Sequence, residues 1–201
     1  MSAEKGMTKN NSHVSYLTGS LANRCLIAMP NMGDDGFEGS VVYICSHSDK
    51  DGAVGLVINK PCPLPLGEIL KQTGINYSEA FSKMQTAWGG PVDPARGFIL
   101  HSADYVGFET TALTDELSLT VSVDVLSKIA LGQGPENALL ALGYSSWAAG
   151  QLELEIAGNS WLVFEPDTAY LFKCPAKQKW KTALGKIGID PLMLSLEQGS
   201  V

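Results

Sequence analysis

Arginine is scarce in this 201-residue chain. Only Arg24 and Arg96 occur, and 14 Lys and Arg stand against 21 Asp and Glu. The formal net charge of −7 and a sequence pI of about 4.9 argue against direct nucleic-acid binding, because phosphate backbones are held by Lys and Arg. Histidine is almost as rare: His13, His47 and His101, with none after His101. The four cysteines, Cys25, Cys45, Cys62 and Cys174, include no C-x-x-C pair and no close zinc-like spacing. In a reducing cytosol they read as free thiols, with Cys25 and Cys45 inside apolar runs and therefore in the core. No apolar run reaches the ~18–20 residues that a membrane span needs. No G-x-G-x-x-G or Walker-type loop occurs, so neither a standard nucleotide site nor any cofactor is expected. Residues 1–20 are polar and lack the apolar segment of a signal peptide; they read as a loose leader on a cytoplasmic protein.

What is present is a globular composition, 45% hydrophobic and 17% charged. A domain of this length buries roughly 70% of its unfolded surface. One domain is expected over residues 21–195, followed by a loose tail at 196–201. LANRCLIAM, SVVYIC and AVGLVINK read as strands, the last two flanking an Asp51-Gly52 turn. Asp49 and Asp51 resemble the opening of a calcium loop, but the later ligands are absent, so the stretch is read as a turn. LGEILKQTG reads as a helix, WGGPVDPARG as a loop with at most a short strand, FILH as a strand, and 102–116 as irregular. LSLTVSV alternates with period two, and Asp124 is expected to cap a helix over 125–132. ALLALGY reads as a buried strand, WAAGQLELEIAG as a helix and WLVFEP as a strand. KCPAKQKWKTALGK brings Trp180, Ala183, Leu184 and Ile187 together at helical spacing, with Lys173, Lys177, Lys179, Lys181 and Lys186 as a basic outer face. The expected class is α+β: a single compact domain with a mixed, mainly antiparallel sheet and several packed helices.

Three groups of residues are candidates for function. GYSSWAAGQ (143–151) has the strand-to-helix context of a G-x-S-x-G nucleophile elbow, but Trp147 replaces the last glycine and no His follows in the chain. Ser145 or Ser146 is therefore expected to cap the next helix. His47 is expected on the same strand face as Cys45, and His101 at a strand end; two histidines without a third ligand make no metal site. The last group is Asn59, Lys60, Gly89, Gly90 and Arg96, all at loop or strand-end positions, where an Arg beside a Gly-Gly-Pro turn could clamp a small anionic ligand.

The runs LIAMPNM, SVVYICSH, GAVGLVINKP, WGGPV, RGFILH and LGYSSWAAGQLELEI, in that order, resemble the bacterial YqgE/AlgH family from about Leu21 to Ser195. The resemblance implies one α+β domain with a mixed sheet in the bacterial cytosol. It brings no known reaction and no catalytic residues. Some members of that family carry the label of transcriptional regulator of alginate synthesis. The chain departs from the family phrase at Ser146 and Ala148, where glycines are usual, and its end reads GSV rather than Gly-His-Ala.

These readings favour a non-enzymatic accessory or regulatory protein that binds a protein or small anionic ligand. The surface expected to do so combines Asn59, Lys60, Gly89, Gly90, Arg96, His101, Tyr144, Ser145 and Gln151. The alternative is an enzyme of unrecognised type using His101, Arg96 and Ser145.

Overall fold

Nine strands and five helices appear, in a computed structural model that describes residues 19–30, 32–33, 36–62, 64, 66–76, 84–191 and 194. The expected leader and tail lie almost wholly outside the described residues, as does His13. In chain order the elements are β1 (Cys25–Ala28), β2 (Val41–Ser48), β3 (Gly52–Val57), α1 (Leu66–Gln72), β4 (Gln85–Trp88), β5 (Val92–Ser102), β6 (Thr110–Ala112), β7 (Leu117–Thr120), α2 (Asp124–Ala130), β8 (Ala138–Trp147), α3 (Gln151–Ala157), β9 (Trp161–Phe164), α4 (Thr168–Lys173) and α5 (Ala176–Lys186).

The strands form one curled sheet in the order β6-β7-β5-β8-β3-β2-β1-β9, with β4 added beside β8. All pairings are antiparallel except β4–β8. The expected α+β class with a mixed, mainly antiparallel sheet is therefore the observed one. β8 is the hub. Its first half lies between β4 and β5, and its last three residues pair with β3. This is why ALLALG is so apolar: a segment covered on both faces and both edges has little side left for water.

Two irregularities decide which side chains share a face. In β2 the pairing skips Cys45 between Ile44 and Ser46. One extra residue in a strand reverses the alternation beyond it. Cys45 therefore packs with Val41 and Tyr43, while His47 turns to the other face and is not beside Cys45 as expected. In β8, Gly143 adopts φ 74°, and the β5 register jumps between Val92 and Gly97 at the same place. Leu139, Ala141 and Tyr144 consequently pack on one face. Beyond the glycine, Trp147 is on the opposite one.

Helices α4 and α5 cover the first face through Tyr170, Leu171, Ala183 and Leu184. The second face carries two smaller cores. Leu152 of α3 packs over Val42, Ile44, Val57 and Trp161, and α1 and α2 pack Leu70, Val125 and Leu126 over Ile99, Leu140 and Leu142. Leu70 is fully buried, as the α1 pattern requires, and Gly74 just past the helix has φ 69°.

Several local expectations fail for physical reasons. β8 continues through Ser145, Ser146 and Trp147, so neither serine caps a helix; α3 begins at Gln151 after a left-handed Gly150. β5 starts at Val92 rather than at Phe98, and β6 lies inside the supposedly irregular 102–116. Asp124 is the first residue of α2, and its side chain caps nothing; Val123 is the cap position. The polar side of β7 is also buried, because Thr120 finds hydroxyl and imidazole partners there. Lys179 does not belong to a basic outer face: it is fully buried.

Candidate functional site

The hydroxyl of Ser145 is buried and points to a backbone carbonyl, that of Gly89, at 3.4 Å. Among the described residues it has no imidazole partner. His101 is bound elsewhere: its Nδ1 donates to the Ser102 carbonyl at 2.8 Å, which leaves Nε2 to accept from the Thr120 hydroxyl at 2.8 Å. Thr120 in turn accepts from Thr110 at 2.7 Å. Burial pushes the His101 pKa down, so the ring is held neutral in that tautomer. Both His101 and Thr120 are shut off from solvent. Arg96 is exposed, its guanidinium 5.3 Å from the Phe98 ring centroid, and Phe98 meets Tyr144 edge-on. The trio His101, Arg96 and Ser145 therefore does not come together.

The three loops do meet, through their backbones. Gly89 accepts from Val57 N–H at 2.8 Å and donates to Leu142 at 2.7 Å, and Trp88 N–H donates to the Lys60 carbonyl at 3.1 Å. The crossing is so close that a Cβ on Gly89 would lie 2.1 Å from the Gly143 oxygen, and one on Gly90 2.3 Å from the Tyr144 carbonyl. Asn59 clamps the neighbouring loop, accepting from Val41 N–H at 2.7 Å and donating to Gly39 at 2.8 Å. The Lys60 ammonium donates to the Glu38 carbonyl. These two residues fasten the loop that carries Phe37.

Phe37 stands in the wall of a cavity of about 240 Å³ on the second face of the sheet. Among the described residues, Met32, Pro91, Val92, Ser145, Ser146, Trp147, Gln151, Glu155, Ser160 and Trp161 also line it. The ring centroids of Phe37, Trp147 and Trp161 lie 5.6–6.5 Å from one another. Glu155 is the hub of the polar side. Its Oε2 accepts both indole N–H groups, from Trp147 at 2.9 Å and from Trp161 at 2.7 Å, and its Oε1 accepts from the Gln151 amide at 2.9 Å. The Gln151 oxygen is occupied by Ala148 N–H at 3.0 Å, which fixes the amide's orientation.

Of the sequence-derived candidates, Ser145 and Gln151 line this cavity, and Asn59, Lys60, Gly89 and Gly90 support it. Arg96 and Tyr144 belong to the other face, and His101 to a separate buried network. Sequence reasoning missed Phe37, Glu155 and Trp161. One signal was available: Gln151 and Glu155 stand four apart on a helix, flanked by Trp147 and Trp161, so one helical face meets two indoles.

Beside the cavity, His47 Nδ1 accepts from Leu21 N–H at 3.0 Å, and Nε2 then donates to Glu153 at 2.6 Å. Among the described residues no three His, Cys, Asp or Glu groups are placed to hold a metal ion. Burial raises the thiol pKa of Cys25 well above its ordinary value, and that of Cys45 to about 12, which makes both poor nucleophiles. Among the described residues no helix is long and apolar enough to cross a membrane.

Residues 25–192 match the family described as DUF179, AlgH-like. A UPF0301 protein of Rhodospirillum rubrum is 43% identical over 188 residues, covering 93% of this chain and 95% of its own. One of Bradyrhizobium diazoefficiens is 47% identical over 197 residues, covering 94% and 90%. The solution structure of the AlgH protein from Pseudomonas aeruginosa superposes with a TM-score of 0.74 at 38% identity, covering 97% of this chain and 98% of that one. A crystal structure from Corynebacterium diphtheriae shares the fold, with a TM-score of 0.66 at 19% identity. The chain belongs to the AlgH-like family.

Proposed function

We propose that this protein is a non-enzymatic accessory or regulatory protein of the cytoplasm that recognises a partner protein through the Phe37–Trp147–Trp161 cavity. One observation carries the reading: a wall of three aromatic rings, held rigid by Glu155, opens beside the loop crossing of Gly89 and Gly90. Aromatic anchors in a preformed pocket are the features that dominate recognition surfaces. The reactive-group pattern of an enzyme finds little support there, since Ser145 is tied to a backbone carbonyl. A small anionic ligand loses its expected clamp, because Arg96 packs against Phe98 on the far face. Any effect on transcription would then pass through the partner, in keeping with a net charge of −7.

The test is capture from native cytosol. Ser146→Phe fills the mouth of the cavity from an exposed position, and Arg96→Ala alters the far face. Proteins retained by the wild type and by Arg96→Ala, but lost from Ser146→Phe, support the reading. Equal retention by all three chains refutes it.

A further inference from the structure

The cavity of that recognition surface has an unbalanced charge. Among the described residues, Glu155 is the one ionisable group in its lining. Three donors sit on its carboxylate, and all three are neutral dipoles: two indole N–H groups and one amide. They fix the carboxylate in place and leave its charge unpaired. Among the described residues no ion pair reaches Glu155; Arg24 pairs with Glu165, His47 with Glu153, Lys71 with Glu68 and Lys186 with Asp167. A carboxylate offers about four acceptor positions, so one remains after the three bonds. Beside it stand the rings of Phe37, Trp147 and Trp161, whose π-faces attract cations.

Each class of occupant meets this wall differently. An anion would face Glu155 with no compensating base among the described lining residues. A purely apolar group would strip water from the carboxylate and give nothing back. A cation on an apolar stem satisfies the free acceptor position and lies against the rings at once. The acidic chain as a whole favours the approach of such a group.

Resting on the recognition reading above, we propose that the cavity takes an organic cation: a guanidinium or alkylammonium on a short apolar stem. Its source is the side chain of a partner's arginine or lysine.

The test titrates the full chain with four probes and follows tryptophan emission and the indole N–H resonances of Trp147 and Trp161. The probes are agmatine, acetyl-Gly-Arg-Gly-amide, the same peptide with citrulline, and the same peptide with glutamate. The two guanidinium probes are expected to bind, with citrulline weaker by at least about tenfold and affinity falling as salt rises. Glu155→Gln keeps an acceptor for the indoles and removes the charge; it should weaken the arginine peptide by about tenfold or more. Ser146→Lys places a competing cation at the exposed rim without touching Glu155, and should weaken it too. The glutamate peptide should not bind. A peptide that binds tighter than agmatine sustains a partner side chain as the source, and the reverse order overturns it. Equal binding of the arginine and citrulline peptides, indifference to both substitutions, or no binding by either guanidinium probe overturns it. The partner-recognition reading is decided separately, by the capture experiment with Ser146→Phe.

Discussion

The ammonium of Lys179 lies 2.6 Å from the carbonyl oxygen of Leu171 and 2.9 Å from that of Tyr170, sealed from solvent. The arrangement is reciprocal, since the Tyr170 hydroxyl donates to the Lys179 carbonyl at 2.9 Å. The two carbonyls belong to the last turn of α4, where a helix lacks internal donors. A long basic side chain from α5 thus finishes a helix too short to finish itself.

Burial lowers the Lys179 pKa from 10.5 to about 8. Between those values the unfolded chain binds a proton that the folded one has released, so this residue's contribution to stability rises with pH. Buried Cys25, Cys45, Tyr43 and Tyr170 act in the opposite sense at high pH, because their pKa values are raised. A comparison with Lys179→Met cancels them. The gap in unfolding free energy should move in favour of the wild type from about pH 8 to about pH 10, by up to roughly 3 kcal/mol. Urea melts at a series of pH values measure it, and a flat gap would contradict the burial of this ammonium.

Removing the Glu155 carboxylate strands two indole donors that are almost wholly buried. Glu155→Ala should cost about 2–4 kcal/mol, and Glu155→Gln, which retains an acceptor, markedly less. Denaturation followed by tryptophan emission checks the order of the two variants.

Gly90 has φ 150°, and an added Cβ would also lie 2.5 Å from the Ser145 hydroxyl. Gly90→Ala should therefore destabilise by about 2–4 kcal/mol and perturb the Trp147 indole resonance as β8 shifts. A variant of wild-type stability would show that the crossing of the two chains is looser than described.

Acid should act through His101. Its pKa is lowered from 6.5 by burial, so below about pH 6.5 the unfolded chain takes up a proton that the native ring refuses. Stability falls as pH drops through that value. In His101→Asn the slope of stability between about pH 7 and pH 5 should be shallower. An unchanged slope would assign the acid sensitivity to other groups.

Ser145→Ala removes a hydroxyl whose contact with Gly89 is 3.4 Å long. The expected loss of stability is under about 1 kcal/mol, measured by urea denaturation. A large loss of some assayed turnover would instead restore the nucleophile reading.

Long runs of β-branched and apolar residues were readable as strands because periodicity reports burial directly. The β2–β3 hairpin and β9 follow from it. What escaped are features set by residues far apart in the chain. A bulge at Cys45 or Gly143 leaves no mark in hydropathy, yet each reverses every side chain beyond it. Lys179 counts as surface in any local pattern and becomes core only when α4 leaves carbonyls for it. The Ser-Ser-Trp stretch reads as a helix cap and first turn because Gly-Gln-Leu-Glu follows it, while the pairing with β3 that keeps it extended lies some 90 residues upstream. In the cavity, the serine and glutamine are visible as motif residues; Phe37 is not, because a loop more than 100 residues upstream of them brings it there.

The place of β8 between three partners has a consequence for the protein's birth. Every chain made from its N-terminus exposes β3, β4 and β5 before the strand that joins them exists. Until Trp147 has left the ribosome these apolar strands have open edges and no common neighbour, a state that invites association with other chains. The fold closes late, around one strand, so its nascent form is the stage at which chaperone dependence and slow, non-local folding should be sought.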